Sequence, residues 1–486
     1  MTKSEKLLFS AAKNGDIKTV QTLIKQGVNV NATTPNKWTA LMLAALHGQT
    51  ETVRCLLGHR TKGHRAKRQA ANPYVTLKDS AMDAFLFAVR SGNADTVCLL
   101  LDKVSIDINH QSEYELIDYE HYTIMPTPLM LAARYGHTDV MKLLIEKGAD
   151  VSIIEKALSL ATKHGHIASV RLLFELGLAN ANSTDHWETP ILTIASGNGH
   201  KDLVQFLLDN GAEVNRLGGF GGYETAIKDA VFGNHIEIVQ LLLDAGADVN
   251  LGDKIGNLKS INAQPVLYMV CDTYGEKINM DMLKLLLDAG VNVNAMDNLH
   301  ETALYKAAEN GDIDAVRLLL DYGADVNLGR ETPLITALSD DSKNMHAIVQ
   351  LLIDNGADVH RCTDKSLWST VMLAAVHHPE CLLLLIDAGA DINYVCRGIT
   401  DYRQDTALLW AAEEGITESV KILLANGADI HAKNKRGRTA LDLAMMGQHT
   451  EIVQLLQAAG AKNSDAIGNK DKVAEIYQQL FSDTKK

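Results

Sequence analysis

A phrase of about ten residues returns along this chain roughly every 33 residues, and nothing else in the sequence limits the fold so tightly. It reads LIKQGVNVN at 23–31, LLIEKGADVS at 143–152, FLLDNGAEVN at 206–215 and LLLDAGADVN at 241–250. Further copies stand at 285–294, 318–327, 351–360, 384–393 and 422–431. A period of this length predicts stacked supersecondary units that share one continuous core, because one unit alone cannot bury both of its faces. The 486 residues therefore do not divide by the usual size of a globular domain. An extended binding surface is the expectation, and a catalytic pocket is not.

The fullest units are TPLMLAARYGHTDVMKLLIEKGADVS (127–152) and ETALYKAAENGDIDAVRLLLDYGADVN (301–327). Thr127 or Thr302 predicts an N-cap, with Pro128 or Ala303 at the first helical position. Leu129, Leu131, Ala132 and Ala133 form a short apolar face, which Gly136 and His137 break. Val140, Leu143, Leu144 and Ile145 recur at helical spacing, and Gly148 supplies a left-handed stop. Each unit is thus two antiparallel helices followed by a polar hairpin.

This unit resembles the ankyrin repeat, whose pattern is roughly TPLHLAAxxGHxEVVKLLLxxGADVN. Units are placed with starts near 5, 39, 83, 127, 156, 189, 225, 264, 302, 332, 369, 406 and 439, about 13 in all. The resemblance implies an all-α solenoid of stacked helix-turn-helix-hairpin repeats forming a curved superhelix. One departure recurs: the His of TPLH is replaced by Met42, Met130, Lys228, Leu267, Tyr305, Ile335, Met372, Leu409 and Asp442. Lower stability per interface is expected from that loss.

Residues 1–36 read as an N-terminal capping repeat and 37–126 as divergent repeats. Regular repeats fill 127–463, and 464–486 read as an amphipathic capping helix and tail. Two insertions interrupt the early part, a basic one at 58–80 and an acidic, Tyr-rich one at 110–125. The first carries Arg60, Lys62, Arg65, Lys67 and Arg68. The second carries Glu113, Glu115, Asp118 and Glu120 among Tyr114, Tyr119 and Tyr122. Two readings stay open for the basic run. It binds phosphate, anionic lipid or an acidic partner, or it faces the acidic run one repeat away.

The net charge of −14 is uneven. Residues 1–243 hold 24 Lys/Arg against 25 Asp/Glu, and residues 244–486 hold 22 against 35. An acidic second half argues against nucleic acid along the array. No apolar run reaches the length of a membrane span, so integral insertion is not expected. The N-terminus carries no Sec-type signal pattern. Six cysteines without a CxxC pair read as reduced thiols. His137, His166, His200, His235 and His449 all fall in the turn between paired helices, so repeat grammar explains them without a metal. The run GGFGG at 218–222 lacks a following Lys-Ser/Thr and reads as a hairpin loop, not a phosphate loop. No cofactor, metal or catalytic residue is predicted, and a small surface-built enzyme is the remote alternative. The chain is expected to be a monomer.

In ankyrin arrays the end of the first helix and the hairpin tips bind partners. That resemblance selects His47, Arg90, Arg134, Tyr135, Lys163 and His164 in the early repeats. It selects Phe232, Glu309, Asn310, Glu413 and Glu414 in the later ones. The early set is cationic or aromatic and the late set leans anionic. Arg and Tyr are frequent hot-spot residues, which puts Arg134 and Tyr135 first. Some ankyrin arrays are hydroxylated on the Asn ending GADVN, a position matched by Asn215, Asn250 and Asn327. The functional expectation is a non-catalytic scaffold for one or more protein partners. The resemblance also suggests a cytoplasmic setting, or that of a bacterial effector secreted into a host cell.

Overall fold

The computed structural model describes residues 1–58, 73–111, 116–117, 123–124, 126–219, 222, 224–251, 264–273, 277–339, 344–362, 369–395 and 405–462. Two compact units divide the chain, Met1–Ala247 and Asp248–Lys486. Thirteen helix pairs lie among the described residues, seven in the first unit and six in the second. Within each unit, first helices pack on first helices and second helices on second helices.

Each pair follows from its residues. In the second repeat, Thr39 is extended and buried, and its hydroxyl accepts the Met42 amide at 3.2 Å. The same bond recurs from Tyr305 to Thr302 at 3.1 Å and from Met372 to Ser369 at 3.2 Å. It satisfies one of the amides that every helix start leaves open. Behind the cap, Ala40, Leu41, Ala44 and Ala45 are buried against the neighbouring first helices. Alanine there lets short helices approach closely. The second helices add the larger side chains. Leu144, Leu173 and Leu207 are wholly buried, each worth about 1.5–3 kcal/mol. Gly148, at φ +89°, turns the chain out of the second helix with open space around it.

The structure changes several sequence expectations. The helix Pro73–Ser91 is 19 residues long, so residues 73–80 of the basic insertion are its first turns and not part of a loop. Proline at its first position is compatible with a helix start, and no breaker follows before Gly92. Arg60, Lys62, Arg65, Lys67 and Arg68 lie outside the described residues. In the acidic insertion, Leu116–Ile117 pairs antiparallel with Thr123–Ile124, a small strand pair within an otherwise helical fold. Helix Ile154–Lys163 follows directly on a 3-10 turn, Val151–Ile153, because the 29-residue spacing there leaves no room for a full hairpin.

Two repeat starts move by one residue. Pro190 and Pro265 are the N-caps, not the residues before them, since both prolines hold extended backbone. Tyr268, not Leu267, therefore occupies the position of the absent TPLH histidine. Trp38 stacks on Phe87 with ring centroids 4.5 Å apart, a packing role. Trp187 is exposed and Trp410 half-buried. Trp368 and the tail segment 470–481 lie outside the described residues. Cys55, Cys98, Cys271 and Cys381 are free thiols, but Cys362 is disulfide-bonded, against the expectation for all six. A search for CxxC detects only bridges local in sequence.

Candidate protein-binding face

Where a first helix ends, a short turn carries the chain into the second helix. At the start of most second helices stands a polar residue, most often histidine, although Ile416 holds the place before Thr417–Ala425. His137, His166, His200, His235 and His449 all occupy the N-cap position, yet none caps its own helix. Each ring instead donates through Nε2 to a backbone carbonyl of the preceding repeat. His137 reaches Arg90 at 2.8 Å, His166 reaches Arg134 at 2.8 Å, and His200 reaches Lys163 at 2.7 Å. His235 reaches Gly197 at 3.2 Å, and His449 reaches Glu413 at 3.0 Å. These carbonyls sit at first-helix ends, where intrahelical partners run out.

The turn glycines make room for the rings. A Cβ on Gly92 would lie 2.4 Å from the His137 ring, and one on Gly136 would lie 2.5 Å from that of His166. Both glycines also hold positive φ, +74° and +70°, so two separate constraints select glycine there. Amides in other repeats also reach a carbonyl one repeat back, but Asn93 and Asn344 meet the turn glycine and not the helix end. Gln49 donates to Lys13 at 3.4 Å, Asn93 to Gly48 at 3.3 Å and Asn344 to Gly311 at 2.9 Å. Sequence reasoning noticed the histidines but missed these stand-ins. For Gln49 and Asn93 the available signal was a polar residue just after the turn glycines Gly48 and Gly92, whereas Asn344 follows no glycine.

A second set of bridges runs through the hairpins. Asn327 donates to Gly356 O at 2.9 Å and accepts the Asp358 amide at 2.7 Å. Asn250 does the same with Gly290 O at 3.1 Å and the Asn292 amide at 2.7 Å. Asn215 donates to Gly246 O at 3.0 Å. The three asparagines proposed as hydroxylation sites thus all bridge consecutive repeats.

A third device replaces the missing TPLH histidine. The Tyr268 hydroxyl donates to Glu301 Oε2 at 2.9 Å, one repeat onward. Burial raises the Glu301 carboxyl above its ordinary range, and neighbouring Asp297 and Glu309 push the same way. Lys306 sits beside this pair, 2.7 Å from Glu309 and 3.4 Å from Asp272. At the last repeat Asp442 fills the position. It is buried and accepts from both the amide and the hydroxyl of Thr439, at 2.7 and 2.9 Å.

The expected binding residues stand on the framework these bridges hold. In the first unit, Arg90 is exposed and its guanidinium lies 5.4 Å from the centroid of the Tyr135 ring. Tyr135 in turn stacks on His137 at 6.2 Å. Arg134 and Lys163 are half-buried and make contacts of their own. His47 and His164 are exposed, His47 with Nδ1 2.9 Å from Leu43 O. Phe232 is 82% exposed at the end of its helix, an unusual burden for so large an apolar ring. In the second unit, Glu309 is held by Lys306, and the Asn310 amide is committed to Cys271 O at 2.6 Å. Glu413 is half-buried and Glu414 exposed. The structure keeps the cationic and anionic sets in separate units. Among the described residues, no three His, Cys, Asp or Glu side chains come close enough to hold a metal ion. Nor is any helix among them long and apolar enough to cross a membrane.

Stacked helix pairs, hairpins and inter-repeat bridges define an α solenoid of protein-interaction type. The family model for ankyrin repeats matches residues 8–112, 114–185, 158–253, 255–330 and 371–466, and the chain belongs to that family. Human mitochondrial disaggregase is 41% identical over 66 residues, 14% of this chain and 9% of that protein. Mouse short transient receptor potential channel 4 is 28% identical over 158 residues, 31% of this chain and 14% of the channel. Human transient receptor potential cation channel subfamily A member 1 is 28% identical over 247 residues, 43% of this chain and 21% of the channel. The chain thus spans under a quarter of each of these relatives. The crystal structure of the human ASB11 ankyrin repeat domain aligns at 24% identity. It covers 50% of this chain and 98% of that domain, with a TM-score of 0.37.

Proposed function

We propose that the protein is a non-catalytic scaffold that binds protein partners on the turn faces ending its first helices. Partners of opposite charge would use its two units. The observation that carries this reading is the segregation of charge on a bridged framework. Arg90, Arg134 and Lys163 stand at equivalent positions of three consecutive repeats in the first unit. Glu309, Glu413 and Glu414 stand at the corresponding helix ends in the second. The bridged carbonyls of Arg90, Arg134, Lys163 and Glu413 restrain the backbone from which those side chains project, which lowers the ordering cost of binding. A basic face favours acidic partners and rejects basic ones, so charge confers choice of partner as well as faster encounter. Cytoplasmic placement and an effector role inside a host cell belong to this proposal too, supported by the irregular, all-repeat make-up of the sequence.

The test is a pair of charge reversals on the full chain. Proteins retained by the immobilised wild type are quantified by mass spectrometry against Arg134→Glu/Lys163→Glu and Glu413→Lys/Glu414→Lys. Loss of one set of partners from the first variant and of a different set from the second is expected. Equal losses from both would sink the division between units.

A further inference from the structure

Arg90, Arg134 and Lys163 form a row whose spacing is set by the stacking of repeats. Their first helices, Pro73–Ser91, Pro128–Arg134 and Ile154–Lys163, pack consecutively. The carbonyls of these same three residues are the ones gripped by His137, His166 and His200. Packed helices lie about 8–10 Å apart, so the three cations recur at about that interval. An acidic ligand matches the row only if its carboxylates recur on one face at the same pitch.

Chain geometry decides which ligand does so. Side chains on a β-strand alternate between faces, so acids two or four residues apart fall at about 6.6 or 13 Å. An α-helix brings residues seven apart onto one face at about 10.5 Å, beyond the range and on a rod about 10 Å thick. A polyproline-II segment has three residues per turn at about 3.1 Å each, which puts every third side chain on one face at about 9.3 Å. Aromatic rings accompanying the cations fit the same ligand, since such segments dock in aromatic-lined grooves, and Tyr135 lies 5.4 Å from the Arg90 guanidinium. Tyr135 and His164 each follow the row's Arg134 and Lys163 directly in sequence.

Arg90 is the best-prepared anchor. It is exposed, and among the described residues its guanidinium has no ion pair, its contact being the Tyr135 ring. A guanidinium lying over an aromatic face keeps its edge N–H groups directed outward, in the fork geometry that suits a carboxylate.

We propose that the row Arg90, Arg134, Lys163, with Tyr135 and His164 beside it, binds an acidic protein segment in polyproline-II conformation with a carboxylate at every third residue. This deepens the reading of the first unit's basic face and rests on it.

The experiment uses the full chain and labelled glutamate/proline peptides, each with three glutamates, spaced two, three or four residues apart. A helical peptide with glutamates seven apart is the fourth probe. Affinities are read by fluorescence anisotropy at low salt. The three-residue spacing should bind at least about tenfold tighter than the others, the scale of one charge-assisted hydrogen bond. Arg90→Ala should remove most of that preference. Arg90→Lys, which keeps the charge but not the fork, should retain only part of it, and circular dichroism checks the fold of both variants. Equal binding of all spacings with dependence on Arg90 would overturn the polyproline-II inference and leave the basic face standing. Tightest binding of the helical peptide would overturn it likewise. Binding insensitive to Arg90→Ala, or capture of phosphatidylserine vesicles without any peptide, would overturn the inference and count against the face itself.

Discussion

His137 donates from Nε2 to the backbone carbonyl of Arg90, 47 residues earlier, across 2.8 Å. One side chain thus closes a first-helix end in one repeat from the second-helix start of the next. The same ring lies where a Cβ of Gly92 would have to go.

That geometry predicts a coupled pair of substitutions. His137→Ala should cost about 0.5–1.5 kcal/mol for the lost bond. Gly92→Ala should cost more than the roughly 1 kcal/mol of positive-φ strain, because the added Cβ would meet the ring at 2.4 Å. In the His137→Ala background the excess should vanish and only the strain remain. Gly148→Ala, with φ +89° and open space, gives the strain alone for comparison. Denaturant unfolding of the four variants checks this. A Gly92→Ala cost that does not change with residue 137 would refute the coupling.

Asn327 makes two bonds to the next repeat, one as donor and one as acceptor. Asn327→Ala should destabilise the second unit by about 1–3 kcal/mol and speed hydrogen exchange at the Asp358 amide. Asn327→Asp keeps the acceptor and should leave that amide protected, while the donor bond to Gly356 is lost. Equal exposure of Asp358 in both variants would contradict the assignment. The same asparagine column is where hydroxylation is proposed, and intact mass after exposure to an asparaginyl hydroxylase tests that on Asn215, Asn250 and Asn327.

Glu301 supplies a pH dependence whose sign follows from burial. Its folded carboxyl is raised above its ordinary value, chiefly by desolvation. Its contribution to stability is therefore full below the unfolded pKa and is lost as pH rises through the folded one. Glu301→Gln keeps an acceptor for Tyr268 and removes the half-buried charge. The variant should match or exceed wild-type stability at pH 7, and the difference should shrink towards pH 4. A deficit at pH 7 that disappears in acid would reverse the sign and refute the desolvation account.

Much of the fold was legible because each repeat carries its own start and stop. Buried Thr caps, alanine pairs and left-handed glycines are local signals, and Thr39, Ala44, Ala45 and Gly148 all do what their positions imply. Errors arose where the signal is not local. Thr189 and Pro190 read as cap and first turn, yet the proline's extended backbone makes it the cap. The start of helix Pro73–Ser91 was hidden because a cationic run flanks it and shares its helix-compatible residues. The turn histidines were visible as a column, but their acceptors were not. The separation from ring to carbonyl runs from 32 residues for His166 to 47 for His137, following the insertions between repeats. Charge on the binding face was legible residue by residue. That Asn310 is bound to Cys271 and Glu309 to Lys306 was not, since both partners depend on stacking.

The most direct test of the scaffold account is hydrogen–deuterium exchange of the full chain with and without a partner lost in the Arg134→Glu/Lys163→Glu variant. Protection is predicted in the turn segments around Arg90, Arg134–Tyr135 and Lys163–His164, with little change along the exposed faces of the second helices. Protection confined to those second-helix faces, around Lys142 and Lys201, would contradict it.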